Sequence, residues 1–69
     1  QGAVDLAFVE DGKLVIVDYK TDRVKDITKL AGLYKKQLDL YKSAMEQSEE
    51  LTVKECILCS IHLGAYIIV

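Results

Sequence analysis

Apolar residues dominate two short runs near the start of the chain. The runs AVDLAFVE and KLVIVDYK are rich in β-branched and aromatic residues, which is typical of strands. Between them stands Asp11-Gly12, the dipeptide preferred in two-residue type I′ hairpin turns. A hairpin closed by that turn places Phe8 opposite Val15 and Asp5 opposite Asp18. The pattern therefore predicts an antiparallel hairpin in which two carboxylates lie side by side.

Both faces of this predicted hairpin are apolar. Alternate residues of a strand project to opposite faces. One face would carry Ala7, Val9, Leu14 and Ile16, and the other would carry Leu6, Phe8, Val15 and Val17. Strands that are apolar on both faces are typical of a sheet that is covered on both sides. We therefore expect this sheet to be covered partly by a helix of this chain and partly by something else.

From Asp26 to about Glu46 the apolar residues recur at spacings of three and four instead of two. This spacing predicts one amphipathic helix. Asp26 is suited to be its N-cap, and the polar stretch EQSEE is expected to close it. The stripe that would face the sheet consists of Leu30, Leu33, Tyr34, Gln37, Leu38, Tyr41, Ala44 and Met45.

The tail LTVKECILCSIHLGAYIIV predicts two further strands, with a turn at Gly64. The resulting order of strand, strand, helix, strand, strand indicates an α/β fold, a mixed sheet with the helix on one face. The sequence begins without Met and stops within the apolar run AYIIV. We therefore predict that residues 1–69 form a single partial domain of a larger protein. A chain this short buries only about 60% of the surface that its unfolded form exposes.

Composition narrows the class of protein. Half of the residues are hydrophobic, proline is absent, and the charged residues are mixed in sign, which is typical of a globular domain. A formal net charge of −2 provides no broad basic field for nucleic acid, although a local patch remains compatible with it. The sequence contains no basic leader and no apolar run long enough to span a bilayer. We expect a cytoplasmic protein without a membrane partner, whose open sheet face is available for self-association.

Cys56 and Cys59 form a CxxC pair within the strand-like run VKECILCSI. Residues three apart in a strand face opposite sides, so we interpret the two cysteines as buried structural thiols. The alternative is half of a metal or redox site. That alternative needs partner ligands, and only His62 is nearby.

The candidate chemistry lies at the end of the second predicted strand. Asp18 and Lys20 should project from the same face, and the hairpin brings Asp5 beside Asp18. Like charges in opposed positions are destabilising. Three outcomes would relieve this: a shifted register, a protonated acid, or a cation between the carboxylates. Paired carboxylates suit Mg²⁺, and Lys20 could orient or help deprotonate the attacking water or neutralise charge that develops on a phosphate.

Three segments in this order, GAVD, VIVDYKTD and a helix with QLDLY, resemble the RecB-like branch of the PD-(D/E)xK nuclease superfamily. Within that branch the chain is most similar to the C-terminal nuclease domains of AddA subunits in AddAB-type helicase-nucleases. The resemblance implies a core fragment of the restriction-endonuclease-like fold. It implies that Asp5, Asp18 and Lys20 are catalytic, and that Asp5, Asp18 and the backbone carbonyl of Tyr19 bind the metal.

The same resemblance implies that Gln37 and Tyr41, which share a helical face, contact DNA or support the catalytic residues. The implied activity is Mg²⁺-dependent DNA hydrolysis, with Mn²⁺ as an alternative ion, by an exonuclease that acts in double-strand-break repair and recombination. The implied partners are DNA and a partner subunit of the helicase-nuclease, while ATP would serve only the helicase part. Two alternatives stay open: an inactive nuclease-like module that holds DNA or has a structural role, and a metal-free α/β fragment whose acids are exposed.

Overall fold

Residues 6–69 are described by a computed structural model. Their elements are β1 (Leu6–Glu10), β2 (Lys13–Lys20), α1 (Ile27–Glu49), β3 (Val53–Ser60) and β4 (Ala65–Ile68). The strands form one sheet in the order β1-β2-β3-β4. The outer pairs are antiparallel, whereas the central strands β2 and β3 are parallel. The α/β class, the order of elements and the mixed sheet predicted from the sequence are confirmed.

The hairpin between β1 and β2 has the predicted turn and the predicted register. Asp11 and Gly12 have φ values of 54° and 75°, and a type I′ turn requires positive φ at both of these positions. Phe8 lies opposite Val15, and Leu6 lies opposite Val17. A shifted register is therefore excluded between residues 6 and 17. The predicted pairing of Asp5 with Asp18 lies outside the described residues.

The helix crosses from β2 to β3 and packs on one face of the sheet. Parallel neighbours need such a crossover connection. Leu30 and Leu38 of α1 are fully buried against Ile16, Cys56 and Leu58 of the central strands. These side chains form the core between the helix and the central strands, and the helix backbone lies closest to β3 and β4. No helix of the described residues has an apolar stretch long enough to cross a lipid bilayer.

Two residues of the predicted helical stripe do not face the sheet. Leu33 is 65% exposed, and Ala44 is also exposed, so their assignment to the buried stripe is wrong. Successive helical residues are rotated by about 100°. The buried face is centred on Leu30, Tyr34 and Leu38, and residue 33 is therefore turned toward solvent.

The helix starts as predicted and ends later than predicted. The Asp26 carboxylate accepts a hydrogen bond of 3.1 Å from the amide of Lys29, which confirms Asp26 as the N-cap. The helix continues through most of EQSEE to Glu49. It ends because Glu50 adopts the left-handed conformation with φ 57°, and its amide donates to the Glu46 carbonyl at 3.0 Å.

The N-cap makes a testable contribution to stability. Hydrogen bonds from the Thr28 hydroxyl and the Lys29 amide lower the pKa of Asp26. A lowered pKa in the folded state means that the stabilisation is present above the unfolded pKa of about 4 and is lost as pH falls through the folded value. We therefore expect Asp26→Ala to be less stable than the wild type in urea denaturation at neutral pH. The difference should shrink in strong acid, and a difference that does not depend on pH would contradict this account.

The sheet face away from α1 carries exposed apolar side chains. Phe8 is 43% exposed, Tyr19 46%, Tyr66 67% and Ile68 54%. Val15 and Val17 on the same face are buried between the neighbouring strands. Coverage of this second face by another element or by a second copy therefore stays a prediction.

The two cysteines differ in their surroundings. Cys56 is fully buried on the helix-facing side, where burial raises the pKa of its thiol. Cys59 pairs with Tyr19 on the opposite side and is half-buried. The two thiols therefore face opposite sides of the sheet, and the prediction of burial is right for Cys56 and right only in part for Cys59.

Candidate active site

The C-terminal end of β2 places an acid and a base together beside the core. Ile16, Asp18 and Lys20 are alternate residues of this central strand and share the face that packs under α1. Asp18 is 2% exposed. Its Oδ2 atom lies 3.2 Å from the Nζ atom of Lys20. The chain thus holds a buried carboxylate in an ion pair at the point where its apolar core ends.

The backbone around this pair is fixed by the turn that follows β3. The amide of Ile61 donates to the carbonyl of Lys20 at 2.9 Å. Ser60, which lies opposite Lys20, is 2% exposed, and its Oγ atom accepts a hydrogen bond of 3.0 Å from the amide of Leu63. The last residue of β2 is therefore held by main-chain contacts on the β3 side.

The helix supplies two further contacts to Lys20. The Nζ atom donates a hydrogen bond to Oε1 of Gln37 at 3.3 Å. The same atom lies 4.2 Å from the centroid of the Tyr34 ring, within the range of a cation–π interaction. The side chain of Lys20 is only 16% exposed. Its ammonium is therefore surrounded by a carboxylate, an amide oxygen and an aromatic face.

Tyr34 in turn is tied to the loop after β2. Its hydroxyl lies 3.0 Å from Oδ1 and 2.8 Å from Oδ2 of Asp22. This hydrogen bond raises the pKa of the Tyr34 phenol, and partial burial acts in the same direction. Asp22, Tyr34, Lys20 and Asp18 thus form a continuous chain of polar contacts from the loop to the strand.

The raised pKa of Tyr34 predicts a specific pH dependence. The stabilisation from its hydrogen bond to Asp22 is fully present below the unfolded tyrosine pKa of about 10 and is lost as pH rises through the folded pKa. Asp22→Asn should bring the phenol back toward its ordinary pKa. Difference absorbance near 295 nm should then show one tyrosine that ionises at lower pH in the variant. Identical titrations of the two proteins would contradict this assignment.

The structure brings together some of the residues singled out from the sequence. Asp18, Lys20 and Gln37 are connected through the Lys20 ammonium. Tyr41 is half-buried and packs against the core. The side chain of Tyr19 is 46% exposed on the other face of the sheet, so only its backbone is available to the site. Asp5 lies outside the described residues.

Tyr34 and Asp22 belong to this arrangement although the sequence pattern did not assign them to it. Tyr34 was expected only to be a core residue of the helical stripe that faces the sheet. The available signal was the position of Tyr34, three residues before Gln37 and therefore on the same helical face. The interpretation in which the acids are merely exposed is wrong for Asp18, whose side chain is 3% exposed.

The donor atoms fit a hard divalent cation in chemical type. Asp18 offers carboxylate oxygens, which are the ligands that Mg²⁺ prefers. Within residues 6–69, however, no group of three or more His, Cys, Asp or Glu side chains is placed to hold a metal ion. The participation of Asp5 and of the Tyr19 carbonyl in a metal site therefore stays a prediction.

Comparison with known proteins identifies similar sequences among nucleases. Residues 1–66 match the family described as the PD-(D/E)XK nuclease superfamily. The chain is 48% identical over 60 residues to an ATP-dependent helicase/nuclease subunit from Clostridioides difficile, and the match covers 83% of this chain. It is 41% identical over 66 residues to the protein of the same name from Lachnoclostridium phytofermentans, with 93% of this chain covered.

A third relative with the same name, from Clostridium botulinum, is 37% identical over 67 residues, and the match covers 97% of this chain. In each of these comparisons the chain spans about 5% of the relative's own length. The family match covers almost the whole sequence, and the resemblance seen in its motifs is confirmed. This chain belongs to the PD-(D/E)XK nuclease superfamily.

Proposed function

We propose that this chain is the catalytic portion of a metal-dependent DNA nuclease that hydrolyses phosphodiester bonds. The main support for this proposal is the ion pair between the buried Asp18 and Lys20, which are 3.2 Å apart at the end of a central strand. An acid and a base at this position, where the apolar core ends, suit catalysis of water attack on a phosphate. Membership of a nuclease superfamily supports the same reaction type.

Each residue has a proposed role in this reaction. Asp5, Asp18 and the Tyr19 carbonyl would hold Mg²⁺ or Mn²⁺. The bound cation would supply positive charge that polarises the phosphate ester. Lys20 would neutralise the negative charge that grows on the phosphate oxygens as water attacks phosphorus and the P–O bond breaks.

Gln37 would have a supporting role, because its Oε1 atom accepts a hydrogen bond from Lys20 at 3.3 Å. An amide oxygen directs the ammonium without adding a formal charge to the site. Tyr41 lies four residues further along α1 and would contact DNA or stabilise the helix against the sheet.

The chain would act as part of a larger helicase-nuclease in which residues 1–69 form one portion of the nuclease domain. The name that the relatives share, which describes an ATP-dependent helicase/nuclease, supports this proposal. In that setting the nuclease would trim DNA as an exonuclease during double-strand-break repair and recombination in the cytoplasm. ATP would be used by the helicase part, and a second polypeptide would complete the complex.

The test is DNA cleavage by the native protein that contains this sequence. End-labelled single-stranded and double-stranded DNA would be incubated with Mg²⁺, with Mn²⁺, or with EDTA. We expect cleavage with the cations, none with EDTA, and recovery when Mg²⁺ is restored. DNA binding without cleavage in Mg²⁺ or Mn²⁺ would overturn the nuclease proposal and favour an inactive module that holds DNA.

A further inference from the structure

Tyr34 contacts the Lys20 ammonium, but the proposed reaction assigns Tyr34 no role. A lysine side chain has a flexible four-carbon stem, and its ammonium must be restrained if it is to act at one position. Asp18 and Gln37 each contact the Lys20 ammonium through an oxygen atom. Tyr34 contacts it through the ring, whose centroid lies 4.2 Å from Nζ.

The ring is well suited to this contact. Its face carries negative charge density that attracts an ammonium from one side. A second carboxylate in the same position would compete with Asp18 for the proton donors of Lys20, whereas a neutral ring restrains the ammonium and leaves its N–H groups available to oxygen acceptors. The packing of the ring also helps to keep Lys20 at 16% exposure.

The orientation of the ring is itself fixed. The hydroxyl at the far end of Tyr34 hydrogen bonds to both carboxylate oxygens of Asp22, at 2.8 and 3.0 Å. Asp22 is half-buried in the loop two residues after Lys20. The loop therefore holds one end of the tyrosine, and the helix backbone holds the other.

We propose that Tyr34, anchored by Asp22, is a positioning residue that holds the Lys20 ammonium toward Asp18 and the reacting phosphate. The inference rests on the proposed nuclease function, because it assigns Tyr34 a role through Lys20. It goes beyond that function in naming a residue pair outside the acid, lysine and glutamine set. Tyr34 touches no reacting atom in this proposal.

The activity test compares three variants in the native protein that contains this sequence. Tyr34→Leu removes the ring, Tyr34→Phe keeps the ring but removes its hydrogen bond to Asp22, and Tyr66→Leu is the matched control at a tyrosine that is 67% exposed on the other sheet face. We expect Tyr34→Leu to lower kcat for DNA cleavage by about 10- to 100-fold with little change in KM, since displacement of a reacting group by about 1 Å has an effect of this order. Tyr34→Phe should recover most of that loss, and Tyr66→Leu should match the wild type.

A second measurement follows Lys20 directly and does not depend on cleavage. Lysines would be acetylated under limiting reagent and the rate at each position read by mass spectrometry. We expect Lys20 to react slowly in the wild type and several-fold faster in Tyr34→Leu, with Lys35, which has a 67% exposed side chain, unchanged. Asp22→Asn should increase the acetylation rate of Lys20 by less than Tyr34→Leu does.

The outcomes separate the two proposals. If Lys20→Met retains full cleavage, the proposed function fails whatever Tyr34 does. If Lys20→Met is inactive and Tyr34→Leu changes neither kcat nor the labelling of Lys20, the positioning role is overturned. The positioning role would also be overturned if Tyr34→Leu increased the acetylation rate of all lysines equally and Tyr34→Phe had no higher kcat than Tyr34→Leu. Tyr34 would then act only in folding. If Tyr34→Leu does not fold, Asp22→Asn decides by the same two readouts: a selective increase in the acetylation rate of Lys20 with lowered kcat supports the role, and no change refutes it.

Discussion

Replacement of Lys20 with methionine is expected to lower the rate of DNA cleavage by about 10²- to 10⁴-fold, the range found when one proton-transfer or charge-stabilising group is removed. Methionine retains an unbranched side chain of similar length but carries no charge. The loss should appear in the rate constant of the cleavage step, measured under single-turnover conditions, because Lys20 is proposed to act on charge that develops only as the phosphate reacts. Affinity for DNA should change little.

A matched control distinguishes this effect from a general loss of positive charge. Lys36 lies on the exposed side of α1, and Lys36→Met removes the same charge away from the site. We expect Lys36→Met to cleave DNA at the wild-type rate. Wild-type cleavage by Lys20→Met would contradict the assignment of Lys20, and equal losses in both variants would indicate an electrostatic effect on DNA binding instead.

Asp18→Asn is expected to remove the stabilisation of the fold by divalent cations. A cation that binds only the folded state, present at about a hundred times its Kd, adds roughly 2.7 kcal/mol to the free energy of unfolding. In a domain of this size that corresponds to an increase in Tm of several degrees or more. The neutral amide is a weaker ligand for a hard cation, so the variant should show little or no increase in Tm with Mg²⁺ or Mn²⁺. Thermal melts with and without each ion provide the measurement.

Asp39→Asn is the matched control for this prediction. Asp39 is an exposed carboxylate on α1 that pairs with Lys35 at 3.4 Å, and its replacement should leave the cation effect intact. An increase in Tm that persists in Asp18→Asn would place the cation elsewhere. Absence of any increase in the wild type would remove the metal site from the account of this chain.

The stability of Asp18→Asn without metal depends on two opposing contributions. Repulsion from Asp5, predicted from the hairpin register, would be relieved by the neutral side chain. The ion pair with Lys20 at 3.2 Å would be weakened at the same time, and removal of one member of a buried pair leaves the other less compensated. The hairpin register alone predicts that Asp18→Asn is more stable than the wild type without metal. The loss of the ion pair acts in the opposite direction, so the register is not sufficient to predict the sign of the change.

Local sequence signals account for most of the fold. Asp11-Gly12 specifies the turn and the register of the hairpin. Alternation along β2 from the buried Ile16 places Asp18 and Lys20 on the helix-facing side. The spacing of Leu30 and Leu38 identifies the buried face of α1. These features depend on a few neighbouring residues, and for that reason they can be predicted from one sequence.

The contacts of Lys20 could be predicted only in part. Gln37 was identified by its motif, but the contact of Tyr34 with Lys20 depends on where the helix crosses the end of β2. The hydrogen bond between Tyr34 and Asp22 depends on the path of the loop between strand and helix. Both are set by packing between distant parts of the chain, and so is the exposure of Leu33, which periodicity alone placed at the sheet.

The metal site at Asp18 is tested most directly by an Mn²⁺ titration of the 69-residue chain followed by backbone amide NMR, with Asp18→Asn as the control. We expect paramagnetic broadening that is saturable, is centred on Asp18, Tyr19 and Lys20, and disappears in the variant. Broadening centred on the carboxylates of the Glu10–Asp11 turn or of the helix end near Glu49, and unchanged in Asp18→Asn, would contradict it.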